Sequence, residues 1–272
     1  MIEPTALEPE MARAIGSVAY CINGLKSVAC CHLLKFEFRP VHSGFCPLSF
    51  TFDKIRSMSI TLILLIITSI VSIVAFRNQK WLEDLIFYPP AITERREYYR
   101  FITCGFIHAN VPHLIFNMYS FWIFGEYVEI LFMTIFGPVG KWYYLFMYIT
   151  ALVACLLPTY LKNKNNYHYQ SLGASGAVSA VIFAFIFLNP LQGIGLIFLP
   201  REFMIPGFIF GFLFLGISSY LDKKGGGNIN HSAHIWGALY GIIFLIITAY
   251  LVTGKNLIAY FLDSVKSYFL NF

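Results

Sequence analysis

Six stretches of the chain read as nearly unbroken apolar runs, separated by polar links. They lie at about 59–76, 112–135, 142–161, 173–189, 203–221 and 231–253. Each approaches the ~20 residues that carry a helix across ~30 Å of hydrocarbon. Helices are the natural form, because a helix pairs its own backbone groups where lipid offers no partner. The pattern predicts an all-α, polytopic membrane bundle of six transmembrane helices over residues 58–254. A short amphipathic tail, 255–272, follows.

The links differ in character. Residues 77–111 mix charge with Trp81, Phe87, Tyr88, Tyr98 and Tyr99, a blend that suits a membrane interface. Pro190 and Pro200 should end helices between the fourth and fifth runs. Residues 222–230, "DKKGGGNIN", are flexible by composition. Residues 1–57 contain no run long enough to span, and Glu3, Glu8 and Glu10 argue against a signal peptide. Met58 stands just before the first run, so 1–57 reads as an appendage to a functional unit beginning near Met58.

Composition fits this picture. The chain of 272 residues is 58% hydrophobic and 12% charged, about half the charged fraction of a soluble domain. Its net charge of +5 is scattered between the runs. No continuous basic face offers itself to nucleic acid. The six cysteines show no metal-site spacing, and Cys155, within a run, reads as a small core residue. Lysines and arginines divide almost evenly between the two sides, so charge bias does not orient the bundle.

Alternating spans bring the starts of the second, fourth and sixth to one face. There lie His108, His113 and Asn117; Ser175; and His231 and His234. A serine in a spanning helix commonly bonds its own backbone or permits close packing. An ionisable residue inside a span is a functional suspect, and a histidine can activate a serine hydroxyl. Small residues favour their contact. Gly173 with Ala177 and Gly176 with Ala180 are pairs four apart, and Ala233, Gly237 and Gly241 form a stripe. His113 and Asn117, four apart, share a helix face and could donate to a developing oxyanion. Pro112 suits the first helical position, and His108, before the helix, reads as a structural hydrogen bonder. The four aspartates at 53, 84, 222 and 263 lie outside the spans, and Glu126 and Glu129 sit too deep to orient His234. A Ser–His dyad is therefore expected. His231 and His234 lack the His-Glu-x-x-His context of a metal site, and "KKGGGN" lacks phosphate-loop spacing. No cofactor or metal is expected.

"GASG" at 173–176, "AHIWGALYG" at 233–241 and "HLIFN" at 113–117 together resemble the rhomboid family of intramembrane serine proteases. The resemblance covers about 58–253, all six spans in order. It implies a six-helix bundle with a water-filled site below the outer face. Ser175 would be nucleophile and His234 general base, with His113, Asn117 and the Ser175 backbone as oxyanion hole. Gly173, Gly176, Gly237 and Gly241 would pack the helices at the site. It further implies cytoplasmic termini in a cell's inner (plasma) membrane, the lipid bilayer as surroundings, and single-span transmembrane proteins as substrates. The fifth span and "DKKGGGNIN" would serve as movable gate and cap.

Two positions depart from the family pattern. Tyr99 and Arg100 stand where a Trp-Arg pair is usual. Ser179 stands where several bacterial members stack an aromatic on the catalytic histidine, which leaves the support of His234 open. Glu129 matches a structural glutamate. Two other readings compete. An inactive membrane-protein-binding relative would typically lose the serine or the histidine. A transporter would show broken helices and paired repeats.

Overall fold

A computed structural model describes residues 59–195, 204–225 and 229–270. The appendage expected at 1–57, Pro200 and the centre of "DKKGGGNIN" lie outside these residues. The first span is α1 (Ile60–Arg77). Loop residues then form α2 (Gln79–Leu85), α3 (Pro89–Arg95), α4 (Arg100–Thr103) and a 3-10 turn at Cys104–Phe106. The bundle continues as α5 (Val111–Phe136), α6 (Gly140–Ala154), α7 (Leu157–Asn163) and α8 (Ser175–Leu188). A two-residue hairpin pairs β1 (Gly193–Ile194) with β2 (Ile205–Pro206). Then come α9 (Gly207–Lys224), α10 (His231–Thr253) and α11 (Leu257–Leu270).

The result is an all-α polytopic membrane bundle. By length and composition alone, three described stretches could cross a bilayer: Ile60–Arg77, Val111–Asn163 and His231–Thr253. The first shows the logic of burial in lipid. Helix α1 turns Leu62, Ile63, Ile66, Ile67, Ile70 and Ile73 outward. It buries Thr61, Thr68 and Ser72 on its inner face. Lipid tails are as apolar as isoleucine, so burying alkyl groups yields little, while the Thr61 and Ser72 hydroxyls gain hydrogen bonds within the protein.

Several elements differ from the sequence expectation, each for a local reason. The third run is two helices, interrupted at Cys155–Leu156 just before Pro158, whose missing N–H and ring disfavour a continuous helix. Asp222–Lys224 form the last turn of α9 and are helical instead of flexible. Pro112 occupies the second helical position, after Val111. The fourth run starts its helix only at Ser175, because Gly173 holds φ +113° and cannot belong to a helix. Helix α8 is thus 14 residues, about 21 Å long at ~1.5 Å per residue. That is shorter than ~30 Å of hydrocarbon.

Helix α8 is the centre of the bundle. Twelve of its 14 residues are buried, and it meets α5, α6, α9 and α10. Its closest neighbour is α10. A methyl group added at Gly237 would overlap the carbonyl oxygen of Gly176, and one at Gly241 that of Ala180. Gly176 also abuts the Cys155 thiol.

At the opposite end of the bundle, Glu129 of α5 anchors α1. Its carboxylate accepts from the Ile60 N–H (2.9 Å), the Thr61 N–H (3.0 Å), the Thr61 hydroxyl (2.8 Å) and the Ser59 hydroxyl (3.1 Å). Thr61 gives its only hydroxyl proton to Glu129, so Tyr144 must donate to Thr61 across their 2.9 Å contact. Glu126, in contrast, is exposed. Arg100 of the first loop is 4% exposed and donates to the carbonyls of Glu83 (2.7 Å) and Ile86 (2.8 Å). Its guanidinium lies 5.5 Å from the Tyr99 ring centroid, within cation–π range. Phe87, expected at the interface, is instead fully buried.

Two outcomes follow. Gly241→Val should force α8 and α10 apart and destabilise the protein by about 1–3 kcal/mol, measured by thermal unfolding in detergent. Glu129→Ala leaves the first turn of α1 without its buried acceptor. It should cost about 3 kcal/mol or more in the same assay.

Candidate active site

The site is built at the starts of three helices. Helix α5 begins at a cap: the Asn110 side chain accepts from the His113 N–H at 2.9 Å. His113 therefore stands in the first turn, with Asn117 one turn deeper. Helix α10 begins in the same way, with Asn230 accepting from the Ala233 N–H at 3.0 Å. Asn230 also accepts from the Thr159 hydroxyl (3.2 Å) and donates to Ser171 Oγ (3.5 Å). One asparagine thus ties α10 to α7 and to the strand-like approach to Ser175.

That approach is fixed on its other side too. Ser171 exchanges two backbone hydrogen bonds with Phe87 (3.0 and 3.1 Å), and the Gly173 N–H donates to the Cys104 carbonyl at 2.9 Å. Gly173 was expected among the helix-packing residues. It precedes the helix instead and packs against a ring: a Cβ there would lie 2.9 Å from His113 Cε1. Its positive φ and this contact both require glycine. Gly176, Gly237 and Gly241 are the residues that let the helices touch.

The consequence is direct contact between Ser175 and His234. Ser175 Oγ lies 2.8 Å from His234 Nε2, and both residues are half-buried. No carboxylate among the described residues is hydrogen-bonded to His234. His231 stands edge-on to it, ring centroids 5.8 Å apart at 85°. Asn117 is buried and donates one side-chain N–H to the His113 carbonyl at 3.1 Å, which leaves a second N–H on the same amide.

His108 is fully buried and its ring meets that of His113 edge-on at 5.0 Å. Its tautomer follows from its partner. Ser72 donates its hydroxyl proton to the Phe106 carbonyl at 2.9 Å, so at 2.9 Å from Ser72 Oγ the His108 Nδ1 must carry the hydrogen. Nε2 is then an acceptor, and it is buried without a partner. Burial, then the neighbouring His113, pushes this imidazole down to about 3. His108 is a neutral wedge behind His113, consistent with a structural part.

Ser72, Asn230 and Phe214 were not singled out from the sequence. Thr61, Thr68 and Ser72 could have been read as a polar stripe, since 3.6-residue periodicity puts them on one face. Asn230, a good cap residue before a helix, was also legible. Phe214 carried no signal. It is one of four phenylalanines at 208, 210, 212 and 214, and only the fold shows that its ring lies 6.1 Å from that of His234.

Comparison with known proteins bears on the family. The sequence profile of the Rhomboid domain matches residues 95–251. The chain is 29% identical over 191 residues to the rhomboid protease GlpG of Haemophilus influenzae, covering 67% of this chain and 88% of that protein. It is 27% identical over 146 residues to the zebrafish (Danio rerio) presenilin-associated rhomboid-like protein A, mitochondrial, covering 53% of this chain. It is 28% identical over 155 residues to the Arabidopsis thaliana RHOMBOID-like protein 12, mitochondrial, covering 52% of this chain. The matches span 36% and 44% of those two longer relatives.

Gly173→Ala combines a disfavoured φ with a collision against His113. It should destabilise the protein by about 1–3 kcal/mol and displace the His113 ring, read as a lower unfolding temperature together with slower reaction of Ser175 with a fluorophosphonate.

Proposed function

The chain belongs to the rhomboid family, and from that premise we propose that it is an intramembrane serine endopeptidase acting through a Ser175–His234 dyad. The observation that carries this reading is the 2.8 Å contact between Ser175 Oγ and His234 Nε2. It is the hydrogen bond along which a proton leaves the nucleophile. Its presence favours an active enzyme over a relative that only binds membrane proteins.

In this mechanism His234 Nε2 takes the hydroxyl proton as Ser175 Oγ bonds to the scissile carbonyl carbon. The carbonyl oxygen becomes an oxyanion, held by the Ser175 backbone N–H, a His113 ring N–H and the remaining Asn117 amide N–H. The C–N bond then breaks, and His234 returns its proton to the leaving amine. Water, deprotonated by the same imidazole, releases the acyl group and restores Ser175.

The substrate is a transmembrane protein with a single span. A helix hides its carbonyls in its own hydrogen bonds, so the segment to be cut must first extend. The short α8 supports such a site, because a helix of 14 residues does not cross ~30 Å of hydrocarbon and its start would lie below one surface. Residues 58–254 form the proteolytic unit, with 1–57 an appendage and 255–272 a tail. In this reading both ends lie on the cytoplasmic side of the plasma membrane.

Detergent-purified protein should cleave a generic single-span substrate. Ser175→Ala and His234→Ala should each lower the rate by at least about 10³-fold, and Asn117→Ala by about 10²-fold, with unfolding temperatures unchanged. Variants at 175 and 234 that cut as fast as the wild type would sink the reading.

A further inference from the structure

We propose that Phe214, on α9, is the positioning residue that holds the His234 imidazole in line with Ser175, so that the stance of the base depends on where α9 stands. The proposal rests on the protease reading above and adds a residue to it.

A histidine bonded at one nitrogen can still swing about its side-chain torsions. Its productive geometry needs a surface against the ring. Helix α8 supplies none: residue 179, one turn after Ser175, is a buried serine with no ring. His231 touches the imidazole edge-on, at 85°. The ring lying most nearly along its face is Phe214, with centroids 6.1 Å apart at 35°.

Phe214 is itself held in place. It packs on Phe183 of α8 at 5.5 Å and on Phe210, one turn earlier in α9, at 6.2 Å and 28°. These distances are those of ordinary aromatic pairs. Rings at 210, 214 and 234 thus form a short row from α9 to the dyad.

Helix α9 packs against α8 and α10 along one side. It buries only Gly207, Phe208, Gly211 and Ser218 of its 18 residues. It turns Phe212, Leu213, Ile217 and Tyr220 outward, and nothing lies within 4 Å of a Cβ placed at Gly216. Because Phe214 stands on α9, a shift of this helix against α8 and α10 would reach the base. With α9 against the bundle the imidazole is braced; with α9 displaced it loses its brace.

The sign of one substitution separates this from simple packing. If Phe214 only held α9 to the bundle, removing its ring would loosen the helix, ease entry to the site, and speed both cleavage and labelling. If it positions His234, removing the ring slows both.

The test uses the full chain in detergent, with Phe214→Leu, Phe214→Met and Phe214→Tyr beside the wild type. Methionine keeps much of the volume without a ring, so a packing defect in the leucine variant does not decide the result. Three quantities are measured: labelling of Ser175 by a small fluorophosphonate, kcat and KM on a single-span substrate, and Tm. We expect Leu and Met to slow labelling and lower kcat by about tenfold, with KM within about twofold and Tm within a few degrees. Tyrosine should restore wild-type rates. Labelling by the Leu and Met variants as fast as or faster than the wild type overturns the positioning role while leaving the protease reading intact. A wild-type chain that is neither labelled at Ser175 nor able to cleave removes the protease reading, and this proposal with it.

Discussion

The structure depends on how closely two helix backbones approach. Where α8 crosses α10, the carbonyls of Gly176 and Ala180 occupy the space where side chains at 237 and 241 would otherwise stand. In lipid there is little hydrophobic gain from burying one alkyl group on another, so association rests on close van der Waals contact and polar pairing. Glycine at 237 and 241 makes that contact possible. The 2.8 Å Ser175–His234 bond is its chemical consequence, because each residue sits at the start of one of the two touching helices.

A second constraint acts at the start of α8. Gly173 turns the chain with a positive φ and leaves α8 to begin only at Ser175. The residues before it are pinned by backbone pairs to Phe87 and Cys104, and by Asn230 to α10. Non-helical backbone at this depth is tolerated only where protein or water satisfies it, and here the first loop supplies the partners. That loop is itself held by the buried Arg100, whose guanidinium closes on the carbonyls of Glu83 and Ile86. The first loop and the segment leading into Ser175 are therefore one construction. The Tyr99–Arg100 departure from the family pattern keeps the arginine that this construction uses.

The polar groups at the site are ordered in layers. Ser72 of α1 fixes the His108 tautomer, His108 backs His113, and His113 lies against Gly173. On the other side Asn230 caps α10 and so sets the height of His234. The proposed brace from Phe214 comes from a further helix, α9, which buries Gly207, Phe208, Gly211 and Ser218. In that proposal the stance of the base would follow the placement of α9.

Much of this was legible in the sequence. Polar residues in apolar runs are costly, so Ser175, His234, His113 and Asn117 stood out by position alone, and alternation of spans put them on one face. Gly176 with Ala180, and the stripe of Ala233, Gly237 and Gly241, were legible as packing positions by their four-residue spacing. Periodicity reports which residues are buried, however, and not what they touch. It could not tell that Gly173 serves a turn and not a helix, that Glu129 caps α1 while Glu126 faces outward, or that α6 and α7 are separate helices. It had no means of choosing Phe214 from the other phenylalanines of its span. Contacts between segments distant in the chain decide such matters, since an apolar ring fits many neighbours equally well and only the relative placement of α8, α9 and α10 selects one.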